Sequence, residues 1–514
     1  MKEVDLCVYR ARKWIGPEAE LGFISTFICG LFVHLFVYVN HYPTYSGLVA
    51  FVENGSGFAL EGRWFSTLLK NITGVATIPF FLGILSLLFW SLSFAIIVKI
   101  FNLQSRTAII LASAIYISFP TVAAMNCFMY MAHCFAAGTF LACLGVYFIS
   151  KHNKYTYIVG VLCLILALAT YQAVLTVAMV LIFMIVAFDI IDGKKIKEIW
   201  IQVWKYTILI LFSLGLYYII FKMYLCWTNV ESYRDFNISS ESVLRGIIKC
   251  YGGSLWFLGW GSVFSLPVGR LITILTFASI CLILGILIKY KWNKIDRKSV
   301  RILMLVGLLL LCPLVSNYTF LVNPDEARTY RQFGSYAIIY LVPIILCEYY
   351  EVDIKNIISI FKIKNTGIVQ YFVAILAIGS VMFFCIVDNI AYMNSHILYE
   401  KEYSLVVRVV DRIENTPGYE QGMPVILMFS RDYFSLYEGI YESQLDKYIP
   451  GMEQRGGGFL TTPTGFVYFI QEFIQTKINI QCESLDEEML IEMRKWPENG
   501  CTQIRDGKLY LWLT

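Results

Sequence analysis

About eleven stretches of roughly twenty apolar residues run along this chain, nearly free of charge inside. Leu21–Val39, Ile78–Phe101, Tyr206–Trp227 and Ile368–Asp388 are examples, each long enough to cross a hydrocarbon core of about 30 Å as a helix. Lipid offers no water to an unpaired peptide group, so such segments are restricted to helices packed on one another. The composition agrees: 58% of residues are hydrophobic and 15% charged, and the mean hydropathy is +0.64, well outside the soluble globular range. The expected fold class is therefore an all-α polytopic membrane bundle. A net charge of +4 leaves no electrostatic footprint for nucleic acid. The first apolar run is of spanning length and lacks a small-residue cleavage site, so it reads as a retained first helix and signal anchor.

Basic clusters set the expected orientation. Lys2, Arg10, Arg12 and Lys13 precede the first run. Later clusters are Lys99 with Arg106, Lys151 with Lys154, Lys194–Lys197, Lys289–Arg301 and Lys355–Lys364. With one crossing per run, all fall on the amino-terminal side, which the positive-inside rule makes cytoplasmic. An odd number of spans, about eleven, follows; across residues 107–191, Pro120 and short connections could hide a re-entrant or broken helix.

The domain plan is a cytoplasmic segment over residues 1–20, a bundle over 21–390, and an extracytoplasmic tail over 391–514. Outward loops cover 41–77, 229–267 and 317–333. The tail reads as a small α/β domain: an amphipathic helix around Glu400–Glu414, a strand at Pro424–Phe429, helices around Gly465–Ile474 and Leu485–Trp496, and a closing strand Lys508–Leu513. Cys482 and Cys501 lie in this tail and could pair outside the cytoplasm; most of the other twelve cysteines sit in apolar runs as small hydrophobes. Within the second loop, Glu241–Trp260 mixes Arg245 and Lys249 with Ile247, Ile248, Leu255, Trp256 and Trp260. That mixture suits either a helix in the headgroup layer or a loop helix packed on the bundle.

The first outward loop holds the most chemistry. It is long, rich in glycine and aromatics, and carries Glu53, Glu61, Arg63 and Trp64. A carboxylate can take the proton from an attacking hydroxyl. A guanidinium can bind a departing phosphate through paired hydrogen bonds. Amphipathic aromatics such as Trp64 can stack on sugar faces. These residue types suit glycosyl transfer from a polyprenyl phosphate sugar, with Glu61 or Glu53 as base and Arg63 as phosphate clamp. The competing reading is a plain ion pair between Glu61 and Arg63, or a helix cap.

The third outward loop repeats the theme with Asp325, Glu326, Arg328 and Arg331. Arg328 and Arg331 could hold a phosphate, and Asp325 could supply an oxygen to magnesium or manganese; a solvated ion network is the alternative. His34, His133, Tyr171 and Gln172 read as structural: histidines hydrogen-bonded in the bundle, and interfacial anchors. A Gly-rich phosphate loop, nucleophile elbow and zinc pattern are all missing from the sequence.

Taken in order, these are a basic amino terminus, a first span, an outer loop ending in Gly62–Phe65 (GRWF), a proline-led second span, Thr170–Leu175 (TYQAVL), an arginine-bearing late loop, and a helical stretch after the last span. This order resembles the bacterial type II O-antigen, serotype-converting, glucosyltransferase-like family over roughly Leu21–Asn415. The resemblance implies a GT-C-like bundle in the bacterial plasma membrane. It also implies glucose transfer from a polyprenyl phosphate donor to a cell-surface glycan outside. In that pattern an acidic residue follows the Asn40–His41 step, where this chain has Tyr42. A second acid belongs near Met131, Ala132 and His133. The base then falls to Glu53 or Glu61. A lipid-linked saccharide transporter or flippase, or an inactive relative, are the other readings; against a transporter, charge gathers at the outer face instead of mid-membrane.

Overall fold

The computed structural model describes residues 14–52, 61–74, 76–229, 240–291, 297–351, 367–429, 443–452, 462–474, 478–484 and 493–513. Glu53 lies outside these residues, as does most of the helix expected at Leu485–Trp496. The chain is mostly helical. Among the described residues, nine helices are long and apolar enough to cross a bilayer, from Pro17–Val39 to Ile368–Glu414. Phe32, Met223, Leu309 and Ile375 stand exposed on them, as a lipid-facing surface requires.

Close helix approach is set by small residues. A Cβ at Gly83 would come within 2.3 Å of the Tyr38 ring, and one at Gly30 within 2.3 Å of Leu87. Helices Pro17–Val39 and Pro79–Phe101 therefore pack closely along their length. At Pro120 the chain bends: Arg106–Ile117 and Pro120–Asn126 meet at 48°, the geometry of a broken span or a re-entrant loop. His34, fully buried, clasps that bend. Its Nε2 lies 2.9 Å from the Ile117 carbonyl oxygen, and a carbonyl only accepts, so Nε2 carries the proton. Nδ1 then accepts from the Tyr392 hydroxyl at 2.7 Å. The structural reading of His34 follows from these bonds.

The 47-residue helix Ile368–Glu414 is about 70 Å long and runs without interruption through the boundary expected near residue 390. No glycine or proline occurs from Ser380 to Glu414, so nothing ends it there. Its far end turns Leu405, Val406, Val409, Val410 and Ile413 onto a four-stranded sheet. The strands are β1 Pro424–Phe429, β2 Asn479–Ser484, β3 Thr502–Arg505 and β4 Lys508–Trp512, in the order β2-β1-β4-β3. β1 pairs in parallel with β2 and β4. Its residues 425–428 are all buried, the pattern of a central parallel strand. Asp506 and Gly507, with φ of 50° and 73°, turn β3 back onto β4 as an Asp-Gly hairpin.

This order separates Cys482 and Cys501. Cys482 lies on β2 at one edge, and Cys501 precedes β3 at the other. Three strand spacings, about 14 Å, separate those edges, while a disulfide needs Cα atoms within about 7 Å. Cys501 is a buried free thiol. The segment after the first long helix meets the sheet through the short helix Tyr45–Val52, whose Leu48 joins the core beneath the sheet.

Candidate functional site

Three segments far apart in sequence meet at one end of the bundle. The break between helices Lys154–Thr170 and Leu175–Ile191 supplies the first. Tyr171 is extended there, and Gln172 starts a single 3-10 turn. Gln172 turns its side chain to the first loop: Nε2 donates to the Glu61 carbonyl at 2.8 Å and lies 2.9 Å from the Tyr217 hydroxyl. Tyr217 in turn donates to the Gly62 carbonyl at 3.1 Å. Tyr318, from the third loop, donates to the Gln172 backbone carbonyl. The peptides of Glu61 and Gly62 are thus bracketed by side chains from two other parts of the fold.

Gly62 has φ +82°, and a Cβ there would sit 2.3 Å from the Tyr217 hydroxyl oxygen. Only glycine meets both demands. After this turn the helix Trp64–Thr73 begins, fastened by the Ser66 hydroxyl donating to the Thr170 carbonyl at 2.9 Å.

Glu61 and Arg63 do pair: Arg63 Nη1 is 2.9 Å from Glu61 Oε2. The guanidinium also lies 5.2 Å from the Tyr171 ring centroid. Arg63 Nε is buried and makes no hydrogen bond among the described residues. A guanidinium N–H beside an aromatic face, with no acceptor, is a ready contact for an anion. Trp64 starts the helix with its ring against Phe65, and its indole N–H likewise lacks a partner among the described residues.

Arg331 reaches the same neighbourhood, its guanidinium 3.7 Å from the Phe128 ring centroid. The Tyr130 hydroxyl lies within electrostatic reach of Arg331, Arg63 and Glu61, so the first and third loops share one field. Lys70 is buried with Nζ 4.9 Å from the centroid of the Tyr130 ring. Burial pulls its amine down to about 8. His133 is buried beside it, Nε2 3.4 Å from the Thr73 hydroxyl and 3.4 Å from Cys134 Sγ.

The other half of the third loop turns away. Arg328 is exposed and lies against Gly252, where a Cβ would be 3.1 Å from its Nη2. The two arginines thus face different neighbours instead of forming one clamp. Asp325 is exposed and pairs with Arg245 Nη1 at 3.6 Å. Among the described residues, no three His, Cys, Asp or Glu side chains gather as a metal site.

Below Arg331 the bundle encloses a cavity of about 10 Å³, lined in part by Trp90, Tyr116, Thr121 and Thr139. That is room for about one water, too small for a sugar. Tyr171 and Gln172 are the residues that sequence reasoning passed over. The signal was available: a Tyr-Gln pair interrupts an apolar run in TYQAVL.

A family model described as glucosyl transferase GtrII matches residues 35–347, more than half of the chain. No curated protein and no solved structure matches it.

Proposed function

Because the chain belongs to this glucosyl transferase family, we propose that it is a membrane glycosyltransferase moving glucose from a polyprenyl phosphate donor to a cell-surface glycan. The reaction is placed on the outer face of the bacterial plasma membrane. Its fold is then a GT-C-like bundle of eleven spans, followed by an extracytoplasmic α/β domain from about residue 391. Support for that count comes from the nine long helices, the bent pair, and the 17-residue apolar helix Lys154–Thr170. In this reading the basic clusters keep the amino terminus inside, and Glu61, Arg63, Gln172, Tyr318 and Arg331 then share the outer side.

The observation that carries this reading is Arg63. One edge of its guanidinium holds Glu61, while Nε–H is buried without an acceptor among the described residues. A phosphate oxygen of the donor completes it, and Arg331 adds charge from the other loop. Glu61, 30% exposed, takes the proton of the acceptor hydroxyl. The acceptor oxygen bonds to the anomeric carbon as the bond from that carbon to the phosphate oxygen breaks. The bonding pair leaves with the phosphate, where Arg63 stabilises it. A single displacement of this kind inverts the anomeric carbon and needs one base and no covalent intermediate. Trp64 offers an aromatic edge and an indole N–H to the sugar in this reading.

The test is release of polyprenyl phosphate from labelled polyprenyl phosphate glucose by purified protein, comparing wild type with Glu61→Gln. Turnover in the wild type that is lost in the variant supports class and base together. Turnover that survives moves the base to Glu53 or Asp325. Absence of turnover would sink the reading.

A further inference from the structure

The second outward segment takes no part in the site above, yet its surface is built for a particular neighbour. Helix Ser240–Leu255 packs one side tightly on the protein. A Cβ at Gly246 would lie 2.7 Å from the Phe320 carbonyl oxygen, and one at Gly253 would lie 3.0 Å from the Phe320 ring. Cys250 Sγ approaches the Asn317 carbonyl at 3.1 Å, and Asn317 Nδ2 donates back to the Cys250 carbonyl at 3.0 Å. The opposite side carries Leu244, Ile248, Tyr251 and Leu255, spaced by four, three and four residues. They form one stripe, and all are exposed, Ile248 to 63%. Trp260, just beyond the helix, is 74% exposed.

Two observations say what covers that stripe. The Tyr251 hydroxyl donates to the Leu310 carbonyl at 2.7 Å. Leu310 lies six residues inside the outer end of helix Lys298–Ser316, about 9 Å down that span. The stripe is also continuous with Leu309, Leu310 and Leu311, which are exposed on the same apolar span. A surface that begins beside lipid-facing leucines and reaches below a span's end meets acyl chains.

We infer that helix Ser240–Leu255 is sunk in the outer leaflet, with Leu244, Ile248, Tyr251 and Leu255 against lipid tails and Arg245 and Lys249 at the phosphate layer. The two cations reach outward on long apolar stems. Arg245 meets Asp325 at 3.6 Å, and Lys249 Nζ meets the Glu326 carbonyl at 3.5 Å, which ties the helix to the loop that also carries Arg331. An amphipathic helix with cations beside its apolar stripe holds the bilayer surface in just this way. Resting on the donor reading above, the same stripe would guide the isoprenoid tail of a lipid-linked donor to the site.

The experiment places a single fluorophore at residue 248 of the full-length protein in phosphatidylcholine vesicles. Quenching by brominated acyl chains is compared with quenching by aqueous iodide. Strong bromine quenching with protection from iodide is expected, with the reverse pattern at residue 420 in the polar tail. Iodide quenching at 248 as strong as at 420 would overturn the inference, and so would protection from both quenchers, which would mark a protein neighbour. These readouts require no activity, so they stand or fall apart from the donor reading. For the guiding role, Ile248→Glu is expected to raise KM several-fold for a long-chain polyprenyl donor in vesicles. It should leave KM for a short-chain donor in detergent unchanged. Equal effects on both donors would refute that role.

Discussion

Adding one methyl group at Gly62 tests the bracket around the proposed base. In Gly62→Ala the new Cβ would sit 2.3 Å from the Tyr217 hydroxyl and 3.0 Å from Gln172 Nε2, on a backbone with φ +82°. A left-handed conformation costs a residue with a side chain about 1–2 kcal/mol. Moving Tyr217 aside gives up its bonds to Gly62 and Gln172, each worth roughly 0.5–1.5 kcal/mol. Together the loop conformation that presents Glu61 loses about 2–5 kcal/mol, or on the order of a 30- to several-thousand-fold drop in its population. The assay is turnover of labelled donor, with melting temperature measured in parallel. Turnover should fall by at least tenfold while the melting temperature moves by only a few degrees, because the outer turn opens before the bundle does. Tyr217→Phe added to Gly62→Ala removes the clashing oxygen and leaves the ring carbon at an ordinary 3.5 Å. The double variant should therefore recover part of the lost activity, a coupling that independent sites do not show. Wild-type turnover in Gly62→Ala, or strictly additive losses, would refute the bracket.

Gln172→Glu replaces the donor to the Glu61 carbonyl with a carboxylate; it should be nearly inactive at pH 8 and regain turnover toward pH 5 as the acid form donates again, and a flat relative pH profile would count against a positioning role. Lys70 has a folded value near 8 below the unfolded value of about 10.4. Its burial penalty is thus fully present below pH 8 and is relieved as the pH rises toward 10.4. Wild type should gain thermal stability relative to Lys70→Met over that window, and parallel curves would argue against the burial effect. Asp388 is fully buried with neither oxygen hydrogen-bonded among the described residues. Asp388→Leu should leave the melting temperature equal or higher, and a large loss would point to an unseen partner. Arg331→Lys keeps the charge but loses planar stacking on Phe128. We expect KM for the donor to rise about tenfold or more; an unchanged KM would remove Arg331 from the clamp.

Much of the architecture is legible in one dimension because lipid leaves few choices. Apolar runs of spanning length must become helices, and the strands at Pro424–Phe429 and Lys508–Trp512 follow from short β-rich runs between turn residues. The chain bends at Pro120 because proline lacks the N–H that a helix needs. The strand Thr502–Arg505 went unnoticed although Asp506–Gly507 announces its hairpin. β2 has no such local signal, since a parallel strand is defined by its neighbour β1.

For the candidate site the division is sharper. Residue types alone singled out Glu61, Arg63 and Arg331, because a carboxylate can take a proton and a guanidinium can bind phosphate. They also grouped Arg328 with Arg331, three positions away, and set Gln172 and Tyr171 aside. Tertiary structure gives each of these residues its neighbours. Arg328 faces Gly252 while Arg331 faces Phe128, and Gln172 reaches a loop 111 residues distant in sequence. Sequence determines what a segment can become in a given solvent, because solvation and backbone hydrogen bonding act locally. Which side chains face one another is decided only when the helices pack, because a hydrogen bond depends on a few tenths of an ångström between atoms that the chain itself does not connect.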